Sequence, residues 1–110
     1  MVQQNGTIPV EYSLGQNYPN PFNPTTNIGF RIADRGFVSL KVYDVLGNEI
    51  ATLVNEEKSP GTYEIEFNTS SIKHHPSSGI YFYQLLVSAL QNKDGKAGNF
   101  VETKKMILLK

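Results

Sequence analysis

The residues of this chain with the widest chemical reach are two adjacent histidines, a few paired acids and a scatter of serines. His74 and His75 stand side by side. Neighbouring side chains diverge in direction on a strand and on a helix alike, so the two imidazoles are poorly placed to share a metal ion. The nearest acids, Glu64 and Glu66, lie in a preceding strand, and the pair reads as a solvated loop. Glu56-Glu57 and Glu64/Glu66 are the acidic pairs. A calcium loop needs more carboxylates around a tight turn, and Glu64 and Glu66, two apart, share the polar face of one strand. No serine sits in a Gly-x-Ser-x-Gly elbow, and no Gly-rich phosphate loop opens a helix. Asn5-Gly6-Thr7 and Asn68-Thr69-Ser70 match the glycosylation acceptor pattern, which is short enough to arise often by chance. The expectation is a domain with no catalytic residue, no metal site and no cofactor.

The composition narrows the partners. The chain has 110 residues with 10 basic and 10 acidic side chains and a net charge of zero. There is no electrostatic footprint for nucleic acid and no polybasic stretch for a membrane surface. Cysteine is absent, which excludes a disulfide framework and a thiolate metal site. A single domain of this size buries roughly 65% of the surface its unfolded chain exposes, enough for a core but not for a deep active site. Residues 1–16 have neither the basic nor the apolar region of a signal peptide, and no apolar run approaches the roughly 20 residues of a membrane helix. A cytosolic protein would look like this. So would a piece excised from a longer chain.

The elements that must carry whatever function there is are strands. Ile28, Phe30 and Ile32 alternate with Asn27, Gly29 and Arg31, the period of a strand with one buried face. Val38, Leu40 and Val42 alternate in the same way, and Asp34-Arg35-Gly36 between the two runs is a turn. Asp44-Val45-Leu46-Gly47-Asn48 reads as a hairpin turn in which Gly47 takes φ > 0. Glu49 to Val54 is a further strand, and Asn55 to Gly61 a polar loop that ends in the turn signal Pro60-Gly61. Tyr63, Ile65 and Phe67 alternate, and Asn68 to Ser78 is a polar connection. Gly79 to Val87 is rich in aromatic and branched residues, as a buried strand is, with Tyr81, Tyr83 and Leu85 inward. After a loop from Gln91 to Asn99, Phe100 to Leu109 is the last strand.

No stretch has helical periodicity. About six to seven short antiparallel strands, with turn signals every 8–12 residues or so, predict an all-β, immunoglobulin-like β-sandwich, with a small closed barrel as the alternative. Phe30, Leu40, Val42, Ile65, Phe67, Tyr81 and Tyr83 are expected inside. Gly79-Ile80-Tyr81-Phe82-Tyr83 has the spacing of the tyrosine corner of immunoglobulin folds, with Tyr83 where antibody domains carry cysteine.

Two stretches ask for more than a bland reading. In Tyr18-Pro19-Asn20-Pro21-Phe22-Asn23-Pro24 the prolines fix φ and push the residues before them toward extended conformations. The segment is expected to be an ordered strap across the sandwich end, with Tyr18 and Phe22 as anchors. The second stretch, Thr103 to Lys110, holds three lysines, no acid and four consecutive apolar residues. Termini fray unless tied down, and one this apolar should be tied down or recognised. Lysines on an edge strand can also guard against sheet-to-sheet pairing, so both readings of Lys104, Lys105 and Lys110 stand.

Taken together, these segments resemble the type A C-terminal sorting domain of the type IX secretion system. The resemblance spans about residues 13–110. It is carried by Leu14 through Thr26, which includes Tyr18, Pro19, Asn20, Pro21, Phe22, Asn23 and Pro24. Val42-Tyr43-Asp44-Val45-Leu46-Gly47 and Ser78-Gly79-Ile80-Tyr81-Phe82-Tyr83 follow, and then Thr103 to Lys110. It departs from the family's usual pattern at Ser88 to Asn99, where many members have a short Gly-containing turn and this chain has a longer stretch with Lys93, Asp94 and Lys96.

The resemblance implies an immunoglobulin-like, non-catalytic domain at the C-terminus of a secreted cargo. Residues 1–12 would then be linker from that upstream cargo domain, residues 13–110 the sorting domain, and Met1 the start of an expressed fragment. The implied partners are the outer-membrane translocon and a sortase-like protease. In many systems of this kind that protease removes the domain and attaches the cargo to surface lipopolysaccharide, and whether this domain is cleaved stays open. The implied destination is outside the cell or on its surface, by way of the periplasm. The recognised signal would be Lys104, Lys105, Leu108, Leu109 and Lys110. Neither nucleic-acid binding nor direct membrane insertion is implied. The alternative from a different class is an immunoglobulin-like adhesion or carbohydrate-binding module, for which Tyr43 and Phe82 are the candidate sugar-facing aromatics.

Overall fold

The computed structural model describes residues 11–72, 76–89 and 99–110. His74, His75, the Asn5-Gly6-Thr7 tripeptide, most of the expected linker and most of the 88–99 stretch lie outside the described residues. Among the described residues, seven strands form two antiparallel sheets. In chain order they are β1 (Ser13–Leu14), β2 (Thr25–Ile32), β3 (Gly36–Tyr43), β4 (Glu49–Lys58), β5 (Gly61–Asn68), β6 (Gly79–Ala89) and β7 (Asn99–Leu108). The three-stranded sheet runs β1-β2-β5 and the four-stranded sheet β4-β3-β6-β7. The chain changes sheet between β2 and β3, between β4 and β5 and again between β5 and β6, so the hairpins β3–β4 and β6–β7 both lie in the larger sheet. This is the sandwich expected from the period-two alternation, with a 3-10 turn at Thr69–Ser71 added.

The core lies between the sheets. Ile28, Phe30 and Ile32 of β2 and Phe67 of β5 face Val38, Leu40 and Val42 of β3. Tyr81, Tyr83, Leu85 and Val87 of β6 and Met106 and Leu108 of β7 complete it, all buried. Alternate side chains of a strand point to opposite faces, and every one of these residues is two positions from the next on its strand or at the matching register.

Ile65 departs from the expected core. It is half-buried and packs against the core's flank. Its partner across the ladder, Ile28, is fully buried. β5 is the edge strand; Phe67 on it is covered by the Phe22 ring of the strap, while Ile65, two residues away on the same face, keeps one flank open. β4 also runs further than the alternation suggests. Its polar end, Asn55 to Lys58, stays paired with β3 as far as Gly36↔Lys58, so the expected polar loop shrinks to Ser59-Pro60. An edge strand facing water needs no apolar residue to hold its ladder, which is why composition misplaces its end.

The tyrosine corner is present. Tyr81 Oη donates to the carbonyl of Ser77, four residues back, at 2.6 Å. Tyr63 Oη makes the same bond to the carbonyl of Ser59 at 2.6 Å. Both tyrosines sit in a Ser-x-Gly-x-Tyr sequence at the start of a strand, Ser59 to Tyr63 and Ser77 to Tyr81, so each of these two strands, β5 and β6, is clamped to its own lead-in as the chain changes sheet.

Candidate functional site

The segments that carry the family resemblance are separated in sequence, and the fold gathers them at one end of the sandwich. β7 is the last strand of its sheet, yet over its final residues the outer edge is covered by the proline-rich strap. Phe22 N donates to Ile107 O at 2.9 Å, and Leu109 N donates to Phe22 O at 3.0 Å. Ile107 N donates to the Oδ1 of Asn20 at 2.9 Å, and Gln16 Nε2 donates to the carbonyl of Lys105 at 2.9 Å. The three X-Pro bonds of the strap, Tyr18-Pro19, Asn20-Pro21 and Asn23-Pro24, are cis. Proline has no N–H to give a ladder; Gln16 Nε2 supplies a donor from a side chain instead, and Asn20 Oδ1 supplies an acceptor.

The strap is itself fixed from below by a buried polar cluster. Asn17 is buried, its N–H donates to Tyr83 Oη at 2.8 Å, and Tyr83 Oη donates to Gly15 O at 2.7 Å. Asn17 Nδ2 donates to Thr26 Oγ1 at 3.0 Å, and Thr26 Oγ1 donates to Pro19 O at 2.8 Å. Buried polar groups are costly without partners and rigid with them, and the partners here tie the strap to β2 and β6. Burial pushes the Tyr83 phenol up to about 12. It occupies the place of an immunoglobulin cysteine and does a comparable job by hydrogen bonds, linking β6 to the opposite layer.

Phe22 anchors as expected: it is buried and its ring lies 6.0 Å from that of Phe67. Tyr18 does not. It is 79% exposed, because its backbone exchanges both bonds with Asn27 (3.0 and 2.9 Å), which turns its side chain away from the layer below. Pro19, Asn20, Pro21, Asn23 and Pro24 are exposed along the strap.

Tyr43 and Phe82 are register neighbours, and Lys105 stands beside Phe82 in the same row. Asp44 closes the β3–β4 hairpin. Its Oδ1 accepts from the N–H of Leu46 and of Asn48, both at 2.9 Å, and the Asn48 amide chiefly holds the carboxyl below its usual range. Gly47 has φ +88°, as the turn requires. Gly79 pairs with Leu108 at the start of β6.

The five residues of the expected signal are not equivalent. Lys104 faces the same side of β7 as the buried Met106 and Leu108, is half-buried, and pairs with Glu102 at 3.3 Å. Lys105 points to the opposite, outer face with Ile107, exposed and with no ion pair among the described residues. Leu108 is core, Leu109 is exposed, and Lys110 is exposed with its N–H on Ser78 Oγ at 2.8 Å. The alternation that separates Lys104 from Lys105 divides the lysine cluster into a paired member and two that meet no acid among the described residues. Nothing in the sequence assigns a role to Gln16, Asn17 or Ser78, which together with Asn20 hold this corner in place. The one signal for Gln16, Asn17 and Asn20 is a run of side-chain amides beside prolines that lack N–H groups; Ser78 has none.

Among the described residues no group of three or more histidine, aspartate or glutamate side chains converges on a metal-sized space, and no helix is long and apolar enough to cross a membrane.

Comparison with known proteins agrees with this geometry. Among curated proteins no sequence matches the chain. Solved structures similar to it include dimeric latent PorU from Porphyromonas gingivalis, with a TM-score of 0.63 and 21% identity over 94% of this chain. The chain corresponds to only 10% of that protein's length, and at this identity the likeness is one of fold. The profile of the secretion system C-terminal sorting domain matches residues 16–108. That match takes in the strap, both hairpins and nearly all of the terminal strand, and the chain belongs to the family of type IX secretion C-terminal sorting domains.

Proposed function

We propose that this chain directs a cargo, joined to it through residues 1–12, across the outer membrane by the type IX route. In this reading the end of β7 is the part that the outer-membrane translocon reads, a sortase-like protease acts on the exported product, and the cargo ends outside the cell or on its surface. The domain does no chemistry of its own. The observation that carries the reading is the convergence of the strap, the β3–β4 hairpin, the start of β6 and the chain's last residues on one corner. At that corner Lys105 and Lys110 carry charge that no acid among the described residues neutralises.

Edge protection is a weaker account of those two lysines. Over Lys105 to Leu109 the outer edge of β7 is already occupied by Gln16, Asn20 and Phe22, so a guard there has nothing left to guard. Exposed lysines contribute little to folding, about 0.5 kcal/mol or less each, and a partner explains them better. The adhesion or sugar-binding alternative rests on Tyr43 and Phe82, which are register neighbours on one strand pair. Tyr43 is half-buried, a poor fit to an open stacking platform.

The test is a fusion of the chain to the C-terminus of a periplasmic reporter in a host with a working type IX system. Export of the fusion, its loss when the translocon is deleted, and periplasmic retention of the reporter without this chain are the results expected. Equal export with and without the translocon would refute the proposal.

A further inference from the structure

The outer face of the smaller sheet has a row without side chains. Tyr18 stands opposite Asn27. In the next row Gly29 stands opposite Glu64, and Gly15 donates its N–H to Gly29 O at 2.8 Å. Arg31 follows two residues on in β2 and points the same way. The bare row of Gly15 and Gly29 is the floor of an open cleft of about 490 Å³, which all six of these residues line. That volume falls within the roughly 300–1,000 Å³ of small-molecule sites.

Folding accounts for one of the two glycines. A Cβ on Gly15 would come within 3.3 Å of Gly29 O, a tight contact with backbone. A Cβ on Gly29 would meet only Tyr63 O, at an ordinary 3.7 Å, and Gly29 does not have a positive φ. Neither packing nor backbone conformation demands glycine at position 29. Glycine inside a strand weakens it and marks places where a ligand approaches the backbone closely. The walls of the cleft carry the chemistry for one. Tyr18 presents an aromatic ring that is 79% exposed. Asn27, Arg31 and Glu64 are exposed, and their side chains have no hydrogen-bond or ion-pair partner among the described residues.

We infer that this cleft binds the end of a neutral saccharide. A sugar ring has an apolar C–H face and a rim of hydroxyls, each both donor and acceptor. The C–H face matches the Tyr18 ring, which is apolar in body and polar at its tip. For the hydroxyls, Arg31 donates, Glu64 accepts and the Asn27 amide does both. The lining holds one cation and one anion, and Glu66, beyond Asn27, lies outside it, so the cleft selects for neither charge. A peptide adding as a strand does not fit, because the backbone of Gly29 is already paired with β5 on one side and with Gly15 on the other and offers no open edge. The site lies on the smaller sheet, whereas Tyr43 and Phe82 belong to the larger, and it does not depend on the sorting function proposed above.

The test titrates the whole chain with maltotriose, mannotriose and triacetylchitotriose, and with trigalacturonate as the acidic comparator, and follows backbone amide chemical shifts. At least one neutral probe should shift Tyr18, Asn27, Gly29 and Glu64 together, with a Kd of about 1 mM, the weak affinity of an open cleft. Tyr18→Phe keeps the ring and should keep the affinity, while Tyr18→Ala should lose it about ten-fold. Gly29→Val separates a ligand site from a purely structural one. Valine suits a strand and its Cβ has room, so the variant should melt at or above the parent temperature. It also fills the floor of the cleft and should lose binding at least about ten-fold through the clash. No shift at these four amides with any neutral probe overturns the inference. So does tighter binding of trigalacturonate, and so does unchanged affinity in a folded Gly29→Val variant. On the reporter fusion, Gly29→Val should be exported at the parent rate. Blocked export of that folded variant, with no saccharide shift in the parent, assigns the cleft to the export machinery, which overturns the inference and leaves the sorting function standing.

Discussion

The amide of Ile107 donates to the side-chain oxygen of Asn20 at 2.9 Å, across 87 residues of sequence. This bond joins the strap near the start of the domain to the strand that ends it, and it fills an edge position where a neighbouring strand would otherwise add.

Replacing Asn20 with Ala removes that acceptor. The expected cost is about 0.5–1.5 kcal/mol, the net value of one hydrogen bond. The sharper readout is local: amide exchange at Ile107 should speed up selectively, while core amides such as Leu40 slow or quicken only with global stability. Unchanged protection at Ile107 would mean that the strap's backbone alone closes the edge.

Tyr83 gives a pH-dependent prediction. Its phenol is pushed up to about 12, mainly by burial, from an ordinary value near 10. The folded state therefore holds the proton more tightly than the unfolded state. The stabilisation is complete below about pH 10 and is lost as pH rises toward 12. Tyr83→Phe should lower stability at pH 7 by about 1–3 kcal/mol, because Asn17 N–H and Gly15 O are left without their buried partner. It should also flatten the decline between about pH 10 and 12 in denaturant melts. A parallel decline in wild type and variant would contradict the assignment.

The core makes a contrast between two residues of one strand. Phe67→Ala should cost about 3–5 kcal/mol through lost transfer energy and a residual cavity, and it also strips the Phe22 ring of its aromatic neighbour. Ile65→Ala, on the open flank of the edge strand, should cost distinctly less, about 1–2 kcal/mol, in proportion to its smaller burial. Urea unfolding of the two variants checks the order; a loss below about 1 kcal/mol for Phe67→Ala would remove it from the core.

Alternation makes most of the sandwich legible in the sequence. Val38-x-Leu40-x-Val42 and Tyr81-x-Tyr83-x-Leu85 face inward as their period requires, and the Gly79-x-Tyr81 spacing signals the tyrosine corner that the Ser77 carbonyl completes. Alternation names a face and not a place in the sheet, so it puts Ile65 in the core although β5 is an edge. Aromatic character makes Tyr18 look like an anchor, whereas the direction of its side chain is decided by the Asn27 backbone pairing. The bonds of Asn17 with Tyr83 and of Asn20 with Ile107 span 66 and 87 residues, and nothing local in the chain advertises a partner so remote. The separation of Lys104 from Lys105 is within reach of the sequence, since adjacent residues on any strand face opposite ways.

The most direct test of the terminal strand as the export signal compares Lys105→Gln with Lys110→Gln against Lys104→Gln alone, each on the reporter fusion. Glutamine keeps length and polarity and removes charge. Export efficiency is measured as the ratio of surface and medium reporter to periplasmic reporter, with thermal unfolding as the control for folding. The account predicts that the Lys105/Lys110 pair leaves a folded, soluble fusion in the periplasm with export reduced at least about ten-fold. Lys104→Gln only breaks an ion pair with Glu102 worth about 1 kcal/mol or less, and it should be exported close to normally. Export of the Lys105/Lys110 variant at the parent rate, with aggregation as its only defect, would contradict the account.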